Sequence, residues 1–278
     1  MAGVLYIVAT PIGNLSDISQ RAVQILSTAD VIAAEDTRHS RQLLNHLGIS
    51  KKLVSYHEHN ERSRSAELIE HLQQGQQVAL VSDAGTPLIS DPGYTLVIEA
   101  RNNNISVVPV PGACSVITAL SAAGLPTDSF YYAGFLSSKN KERMAQLQSL
   151  QAIPSTLVLL ESTHRIVRLL QQLADVFADQ TIVVAKELTK THERFFSGTA
   201  SDILGQLVAD EKLQKGEFVV MIDNPPTQAN IDYDNVDRLL TCLIKALPLK
   251  QAAAVAAEFT GLRKNDLYQR ALSLKADS

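Results

Sequence analysis

Several motifs that mark common classes of α/β enzyme are missing from this 278-residue chain. No two of its 13 glycines are spaced as G-x-G, and neither G-K-S nor G-K-T occurs. The chain therefore lacks the dinucleotide-binding fingerprint and the P-loop, which argues against binding a dinucleotide or a nucleoside triphosphate in the usual way. It also lacks G-x-S-x-G, the motif of the nucleophile elbow, which weakens a hydrolase interpretation.

Patterns for metals, disulfides and membranes are equally scarce. Cys114 and Cys242 are too few for a disulfide framework, so we expect reduced thiols. His57 and His59 would share one face of an extended segment, but no third ligand accompanies them and no metal site is expected. Apolar runs stay well below the ~20 residues that span a bilayer, and the first residues lack the basic region of a signal peptide. We therefore expect a cytoplasmic protein that contacts no membrane.

Charge is distributed unevenly along the chain. The net charge is −4, whereas the stretch from Arg238 to Lys275 has seven basic residues against two acidic ones, a net +5. A basic tail on an acidic body suggests that a polyanion is bound at one end.

The first part of the chain alternates strand-like and helix-like segments. The strands are apolar and almost uninterrupted, which is typical of a parallel sheet covered on both faces. Predicted strands are Val4–Ala9, Val31–Ala34, Leu53–Tyr56, Val78–Ser82 and Val107–Val110; predicted helices are Ile18–Ser27, Arg41–Leu47, Ser65–Gln73 and Tyr94–Arg101.

A second β/α series follows a connection at Pro109–Pro126, which holds a small-residue helix at Cys114–Ala123. Its predicted strands are Phe130–Gly134, Thr156–Glu161, Ile182–Glu187 and Phe218–Ile222; its predicted helices are Lys141–Leu150, Arg165–Phe177 and Ser201–Val208. The proline-containing run D-N-P-P-T-Q-A-N-I-D is a predicted linker. Beyond it, two helices around the turn T-G-L-R-K-N, with Arg263 and Lys264 in that turn, fit a helix-turn-helix module.

Five strand ends run into polar loops. In chain order they contain T-P-I-G-N-L-S-D-I, A-E-D-T-R-H-S, S-D-A-G-T-P-L-I-S-D-P-G, E-S-T-H-R and E-L-T-K. Ligands of parallel α/β proteins bind beyond the carboxyl ends of the strands, so these loops are the predicted site. Some residues of these loops can also be explained by local structure. Ser16 or Asp17 would cap the next helix, and Glu35 would form a surface ion pair with Arg38.

These five strings, in this order, resemble the ribosomal RNA small subunit methyltransferase I family of the tetrapyrrole-methylase class. The resemblance runs from about Leu5 to Asp223, and the basic tail is similar to that family's C-terminal module. It implies an α/β fold with two α/β/α domains at 1–112 and 113–224 and a helical module at 233–278. It also implies S-adenosyl-L-methionine bound between the domains, a homodimer, and 2′-O-methylation of a cytidine in the decoding centre of 16S ribosomal RNA.

S-adenosylmethionine contains no phosphate, which agrees with the absence of a phosphate-binding glycine loop. Asp83 is the first candidate for a cofactor contact because S-D-A-G-T-P combines polar groups with a glycine. The full candidate set is Asp83, Gly85, Thr86, Ile89, Ser90, Ser115, Ile117, Tyr132 and Ala133.

Methyl transfer to a hydroxyl requires alignment and benefits from a base or a cation near the nucleophile. Candidate catalytic residues are Glu187, Lys190, Glu35, Asp36 and Arg38, and the base is left unassigned among them. Candidate RNA-binding residues are Arg165, Arg263, Lys264 and Arg270, with 16S ribosomal RNA or the assembled small subunit as partner.

Two alternatives stay open at this point. A tetrapyrrole C-methyltransferase would share the fold, although a small pigment precursor needs no basic tail. A non-catalytic RNA-binding protein would share the tail, although it would not need the polar loops.

Overall fold

The computed structural model describes residues 2–225, 233–260 and 262–276. The chain divides after Pro225 into two compact units, Met1–Pro225 and Pro226–Ser278. Most of the predicted linker, residues 226–232, and Gly261 of the predicted turn lie outside the described residues. Within them, no helix is long and apolar enough to cross a membrane.

The first sheet is parallel throughout, as predicted, with strand order β3-β2-β4-β1-β5. Its strands are β1 Val4–Val8, β2 Val31–Ala34, β3 Leu53–Ser55, β4 Val78–Val81 and β5 Ser106–Val110. Every residue of β2 and β4 is buried, because helices cover both faces of the sheet. Helices α1 Gln20–Thr28 and α2 Thr37–His46 pack on one face, and α3 Glu61–Gln73 and α4 Tyr94–Asn102 on the other.

The second sheet is mixed, with order β6-β7-β10-β8-β9. Its strands are β6 Phe130–Phe135, β7 Thr156–Ser162, β8 Ile182–Lys186, β9 Arg194–Gly198 and β10 Glu217–Ile222. Strands β6 and β7 are parallel, and both β7 and β8 are antiparallel to β10, so β6, β7 and β8 end at the same edge. The start of β10 lies between the ends of β7 and β8 at that edge.

Helices cover both faces of the second sheet as well. Helix α5 Ser115–Ala123 packs on one face, and α6 Asn140–Leu150, α7 Ile166–Val176 and α8 Ala200–Ala209 pack on the other. Strand β9, R-F-F-S-G, was not predicted. It buries only Phe196 fully and forms an antiparallel edge pair with β8, so it lacks the apolar run of the central strands.

Helix starts differ from the sequence prediction because of their caps. Ser19, not Ser16 or Asp17, accepts the hydrogen bond that caps α1, from the Ala22 amide. Helix α2 begins four residues earlier than predicted because Asp36 accepts a hydrogen bond from the Arg38 amide. The cap also overturns the predicted Glu35–Arg38 pair, since Arg38 forms its ion pair with Asp36 at 2.8 Å.

The described part of the second unit contains three helices, α9 Tyr233–Ala246, α10 Leu249–Thr260 and α11 Lys264–Ala276. Helix α9 was not predicted, and Lys264 begins α11 instead of lying in the turn. The core of this unit is small and rich in alanine, which allows the helices to approach closely; its buried residues are Val236, Leu240, Ala253, Ala256, Leu267 and Ala271.

Glu61 fixes the start of α4, which has no cap from its own residues. Its Oε1 accepts hydrogen bonds from the Gly93 amide at 3.0 Å, the Thr95 amide at 3.2 Å and the Tyr56 hydroxyl at 3.0 Å. Glu61→Ala should therefore lower the free energy of unfolding by about 1–3 kcal/mol, and Glu61→Gln, which keeps an acceptor, by less. Urea denaturation of the two variants measures both free energies of unfolding.

The matched control for Glu61 is Glu70→Ala on the exposed side of α3, expected to change stability by less than ~0.5 kcal/mol. Equal effects at positions 61 and 70 would contradict the capping role.

Candidate functional site

A cavity of about 400 Å³ lies where the carboxyl edges of the two sheets meet. The first sheet contributes the loops after β1, β2 and β4, and the second contributes the ends of β6, β7 and β8 and the start of β10. Its lining residues are Ile12, Glu35, Asp83, Ala84, Ile89, Ser90, Asp91, Ser115, Phe135, Leu160, Glu161, Ser162, Leu188, Glu217, Phe218 and Val219.

The cavity is acidic. Five of its lining residues are carboxylic acids, Glu35, Asp83, Asp91, Glu161 and Glu217, and none is basic. Burial raises the pKa of Asp91 to about 6; a hydrogen bond with Ser82 opposes the shift, and the charges of Glu35 and Asp83 add to it. Burial, followed by the charge of Asp83, also raises the pKa of Glu35. Such a cavity favours a cationic ligand.

The loop after β4 is tied to the rest of the first unit through its backbone. Gly85 exchanges two hydrogen bonds with Thr10, at 2.8 and 3.0 Å, and has a φ of +87° that favours glycine. The Thr86 hydroxyl donates to the Ala113 carbonyl at 2.9 Å. Further along, the Ser90 and Tyr132 hydroxyls lie 2.6 Å apart, which joins the loop to β6 of the second sheet.

The backbone is strained on both sides of the cavity. Of the five non-glycine residues with positive φ in the described chain, four lie in two of its loops: Leu88, Ser90, Glu187 and Thr189. Such conformations cost about 1–3 kcal/mol each and concentrate at ligand sites.

The predicted cofactor residues fall into two groups. Asp83, Ile89, Ser90 and Ser115 line the cavity. Gly85, Thr86 and Tyr132 lie behind that lining in the contacts just described. Ile117 is 53% exposed on α5, and Ala133 packs against the core of the second sheet.

The predicted catalytic residues lie on opposite sheets. Lys190 is bound between two carboxylates, with Nζ 3.0 Å from Glu187 Oε1 and 2.9 Å from Glu217 Oε2. Glu187 Oε1 also accepts from the Glu217 amide at 2.9 Å. Asp36 and Arg38 pair with each other at the edge of the first sheet, where the Asp36 amide donates to Asp83 Oδ1 at 2.9 Å.

These contacts decide what Glu187 and Lys190 can do. Burial lowers the pKa of Lys190, but its hydrogen bonds with Glu217 and Glu187 outweigh burial and the net direction is upward. Burial raises the pKa of Glu187, but hydrogen bonds from the Glu217 amide and Lys190 outweigh it and the net direction is downward. Lys190 is therefore a fixed cation, and Glu187 is a weak base.

Two of the four predicted RNA-binding residues already form ion pairs with carboxylates, and the other two are exposed. Arg165 Nε lies 3.1 Å from Glu161 Oε1, and its Nη2 donates to the Leu136 carbonyl at 2.6 Å. Arg270 pairs with Asp237 in the second unit, at 2.9 Å between Nη2 and Oδ2. Arg263 and Lys264 are exposed.

Eleven of the sixteen lining residues were not among the predicted site residues; those with a carboxyl group or an exposed ring are Asp91, Phe135, Glu161 and Glu217. Asp91 and Glu161 lie inside the quoted motifs S-D-P-G and E-S-T-H-R, so the motifs were a signal for them. The positions of Phe135 and Glu217 at the cavity depend on how β6 and β10 pair with β7, which no motif in the sequence indicates. His57 and His59 lie next to each other in a turn region, not in an extended strand, and no three His, Cys, Asp or Glu side chains in the described chain are arranged to hold a metal ion.

Gly13 sets the distance between the first loop and the loop after β8. A Cβ at position 13 would lie 2.5 Å from Lys190 Cγ and 2.9 Å from both the Leu188 carbonyl oxygen and Thr189 Oγ1. Gly13→Ala should therefore push the Lys190 loop away and lower the free energy of unfolding by about 1–3 kcal/mol. Chemical denaturation measures this change.

Gly205 on α8 is the control for Gly13, since a Cβ there meets nothing within 4 Å. Gly205→Ala should raise stability by up to ~1 kcal/mol because it removes a helical glycine. If Gly13→Ala also raised stability, the two loops would not be in the close contact described.

Comparisons with known proteins agree with this architecture. A family model described as Tetrapyrrole (Corrin/Porphyrin) Methylases matches residues 4–204, and one described as the RsmI C-terminal HTH domain matches residues 230–275. Ribosomal RNA small subunit methyltransferase I of Escherichia coli O157:H7 is 49% identical over 97% of this chain and 95% of its own length. Its namesake from Pseudomonas aeruginosa is 48% identical over 100% and 99%.

Among solved structures, uroporphyrin-III C-methyl transferase from Thermus thermophilus, complexed with S-adenyl homocysteine, has a TM-score of 0.54 at 17% identity. The match covers 79% of this chain and 97% of that one, and it shows the fold alone. The tetrapyrrole-methylase fold and the helical C-terminal module expected from the sequence are thus confirmed. This chain belongs to the tetrapyrrole methylases and, within them, to the ribosomal RNA small subunit methyltransferase I family.

Proposed function

We propose that this chain transfers a methyl group from S-adenosyl-L-methionine to the 2′-hydroxyl of a cytidine in the decoding centre of 16S ribosomal RNA. The observation that carries the proposal is the near full-length match to ribosomal RNA small subunit methyltransferases I, combined with an acidic cavity formed by the matching loops. A tetrapyrrole substrate is not favoured because the match includes the C-terminal module. A non-catalytic RNA-binding role is not favoured because the relatives that match nearly the whole chain, polar loops included, are named methyltransferases.

The cavity fits the cofactor chemically. S-adenosylmethionine has a sulfonium and an ammonium group, and five carboxyl groups surround the cavity. We assign contacts to Asp83, Ile89, Ser90 and Ser115, which line it. We assign support of that lining to Gly85, Thr86 and Tyr132, and keep Ile117 and Ala133 as outer contacts.

The cofactor supplies an electrophilic methyl group, and the side chains align and activate the hydroxyl. With the cofactor bound, the ribose hydroxyl would lose its proton to a base of this chain as its oxygen takes the methyl group from sulfur. We assign that base to Asp91, because its raised pKa lies closer to neutrality than that of an ordinary carboxylate. Lys190, fixed by Glu187 and Glu217, provides a positive charge near the nucleophile. Asp36 holds Arg38 at the opposite edge, where it can contact RNA phosphate.

The C-terminal module is assigned to RNA docking. Arg263 and Lys264 are exposed beside the turn, whereas Arg270 is paired with Asp237 and Arg165 with Glu161. The proposal therefore assigns phosphate contacts chiefly to Arg263 and Lys264, on 16S ribosomal RNA or the assembled small subunit.

The proposal also includes a homodimer and a cytoplasmic location. The proposed domain boundaries are 1–112, 113–224 and 233–278. Support for a dimer comes from apolar side chains exposed on the first unit, including Tyr94 at 70%, Tyr131 at 44% and Phe130 at 41%. The relatives are named as ribosomal RNA methyltransferases, which supports a cytoplasmic location.

The pH dependence of methyl transfer tests the role of Asp91. A base works when deprotonated, so kcat/KM for the cofactor should rise about tenfold per pH unit below pH ~6 and become level above it. Asp91→Asn should lower kcat by about 10²–10⁴-fold and abolish this acidic limb. The assay is radiolabelled methyl transfer to small subunits from a strain that lacks the enzyme.

Glu217→Gln serves as the comparison, because it also removes a cavity carboxyl group but should keep the acidic limb. If Asp91→Asn kept the acidic limb of the pH profile, the base would be another residue, and Glu35 would be the next candidate.

Salt dependence tests the docking surface. The double variant Arg263→Ala, Lys264→Ala should weaken binding to the small subunit and make the slope of log K against log[salt] shallower by about 1.5. Cofactor affinity should not change, since both residues lie in the other compact unit.

The charge-matched control is the double variant Lys212→Ala, Lys215→Ala, two exposed lysines of the first unit. If the control variant made the slope of log K against log[salt] as shallow as the module variant does, the module would not be the docking surface.

A further inference from the structure

Four side chains form a row across the second sheet, at the edge where the cavity lies. Strand pairing places Glu161 opposite Phe218, and Phe218 opposite Lys186. Lys186 in turn lies opposite Arg194, so all four residues project from the same face of the sheet. It is the face covered by α6, α7 and α8, because Phe218 packs in their core. Lys186 and Arg194 therefore form a cross-strand cation pair, and like charges in this arrangement destabilise a sheet.

The ammonium group of Lys186 has no counter-ion in the described chain. Lys186 is only 6% exposed, yet it forms no hydrogen bond or ion pair with a described residue. Its nitrogen is not fully buried, so an ion from solution can reach it. The carboxylate of the next residue, Glu187, acts on Lys186 only beyond ion-pair distance, because Lys190 Nζ and the Glu217 amide bind it at 3.0 and 2.9 Å. A mostly buried charge is costly without a partner, so an external anion would stabilise Lys186.

The guanidinium of Arg194 is also free of carboxylates. It lies over the ring of Phe196, 4.9 Å from the ring centroid, which orients it without neutralising its charge. The basic residues described above at the cavity edges differ in this respect, since Lys190, Arg165 and Arg38 each contact a carboxylate. The cation pair is therefore uncompensated on both of its strands.

We propose that the cation pair binds a backbone phosphate of the substrate RNA beside the nucleotide that enters the cavity, an inference that rests on the proposed function. Lysine and arginine are the side chains that most often contact phosphate oxygens. The cavity needs such a contact, because five of its lining residues are carboxylic acids and none is basic, so it repels a polyanion. Phe218 lines the cavity directly opposite Lys186, so a phosphate bound by the pair adjoins the reaction site.

The carboxylate of S-adenosylmethionine is the other anion of the proposed reaction. Neither residue of the cation pair lines the cavity, which favours RNA over the cofactor as the source of the anion. Measuring the affinity of each variant for the small subunit and for S-adenosylhomocysteine separates the two sources.

Lys186→Met tests the phosphate contact, because methionine has a similar length and no charge. With the full-length protein, the variant should bind the small subunit about three- to tenfold more weakly. The slope of log K against log[salt] should become shallower by about 0.7–0.9, the value for one phosphate. Affinity for S-adenosylhomocysteine should not change. A salt titration of subunit binding and calorimetry with S-adenosylhomocysteine are the two measurements.

Stability of the ligand-free protein distinguishes this role from a structural one. Lys186→Met removes an unpaired charge and its repulsion from Arg194, so the midpoint of urea denaturation should stay the same or rise. A lysine that supports the fold would lower the midpoint when replaced. Arg194→Gln, at an exposed position, should also weaken subunit binding, and its effect should add incompletely to that of Lys186→Met because both residues contact one phosphate.

Lys52→Met is the matched control, since Lys52 is exposed immediately before β3, at the edge of the first sheet opposite the cavity. It should change neither subunit affinity nor the salt slope. The inference is overturned if Lys186→Met binds the subunit like the wild type or no more weakly than the control. It is also overturned if Lys186→Met weakens S-adenosylhomocysteine instead, which would assign the pair to the cofactor carboxylate. A wild type that binds the subunit without methylating it would contradict the proposed function and leave the phosphate contact standing.

Discussion

The crowding of five carboxyl groups around one cavity is the constraint on which the site depends. Burial raises the pKa values of Asp91 and Glu35, and the negative charges of neighbouring carboxyl groups raise them further. A cation bound among them relieves the repulsion, so cofactor binding and deprotonation of the cavity acids favour each other. Under the proposed assignment, the arrangement that attracts the sulfonium would also keep Asp91 deprotonated once the methyl donor is bound.

Holding these carboxyl groups in place requires loops that cannot relax. The bridge between Thr10 and Gly85 fixes the β4 loop, and the close approach of Gly13 to the Lys190 loop fixes the other side. Positive φ values at Ser90 and Glu187 show that the backbone tolerates strain in these loops. The core packing of the two sheets compensates for that strain, which is why the site lies at the sheet edges and not in a free loop.

The sequence predicted the architecture well where burial is simple. Central strands such as β2 and β4 are apolar throughout because both faces are covered, and their bounds were close to those observed. Helix starts were less predictable because a single side-chain hydrogen bond, such as that of Asp36, decides them. Strand β9 was missed because an edge strand buries one face only. Phe135 was missed as a lining residue because its place at the cavity follows from strand pairing, whereas Glu161 lies in the quoted motif E-S-T-H-R and could have been selected.

Arg165 shows why charge in a motif is a poor guide to a partner. In E-S-T-H-R its guanidinium looked available for RNA phosphate, yet it lies against Glu161 and donates to a backbone carbonyl. A buried carboxylate is costly without a compensating cation, so the pair is better explained by orientation of Glu161 than by phosphate binding. Arg165 is thus a residue of the folded core at this sheet edge, and the proposal assigns phosphate contacts to the exposed cations of the C-terminal module.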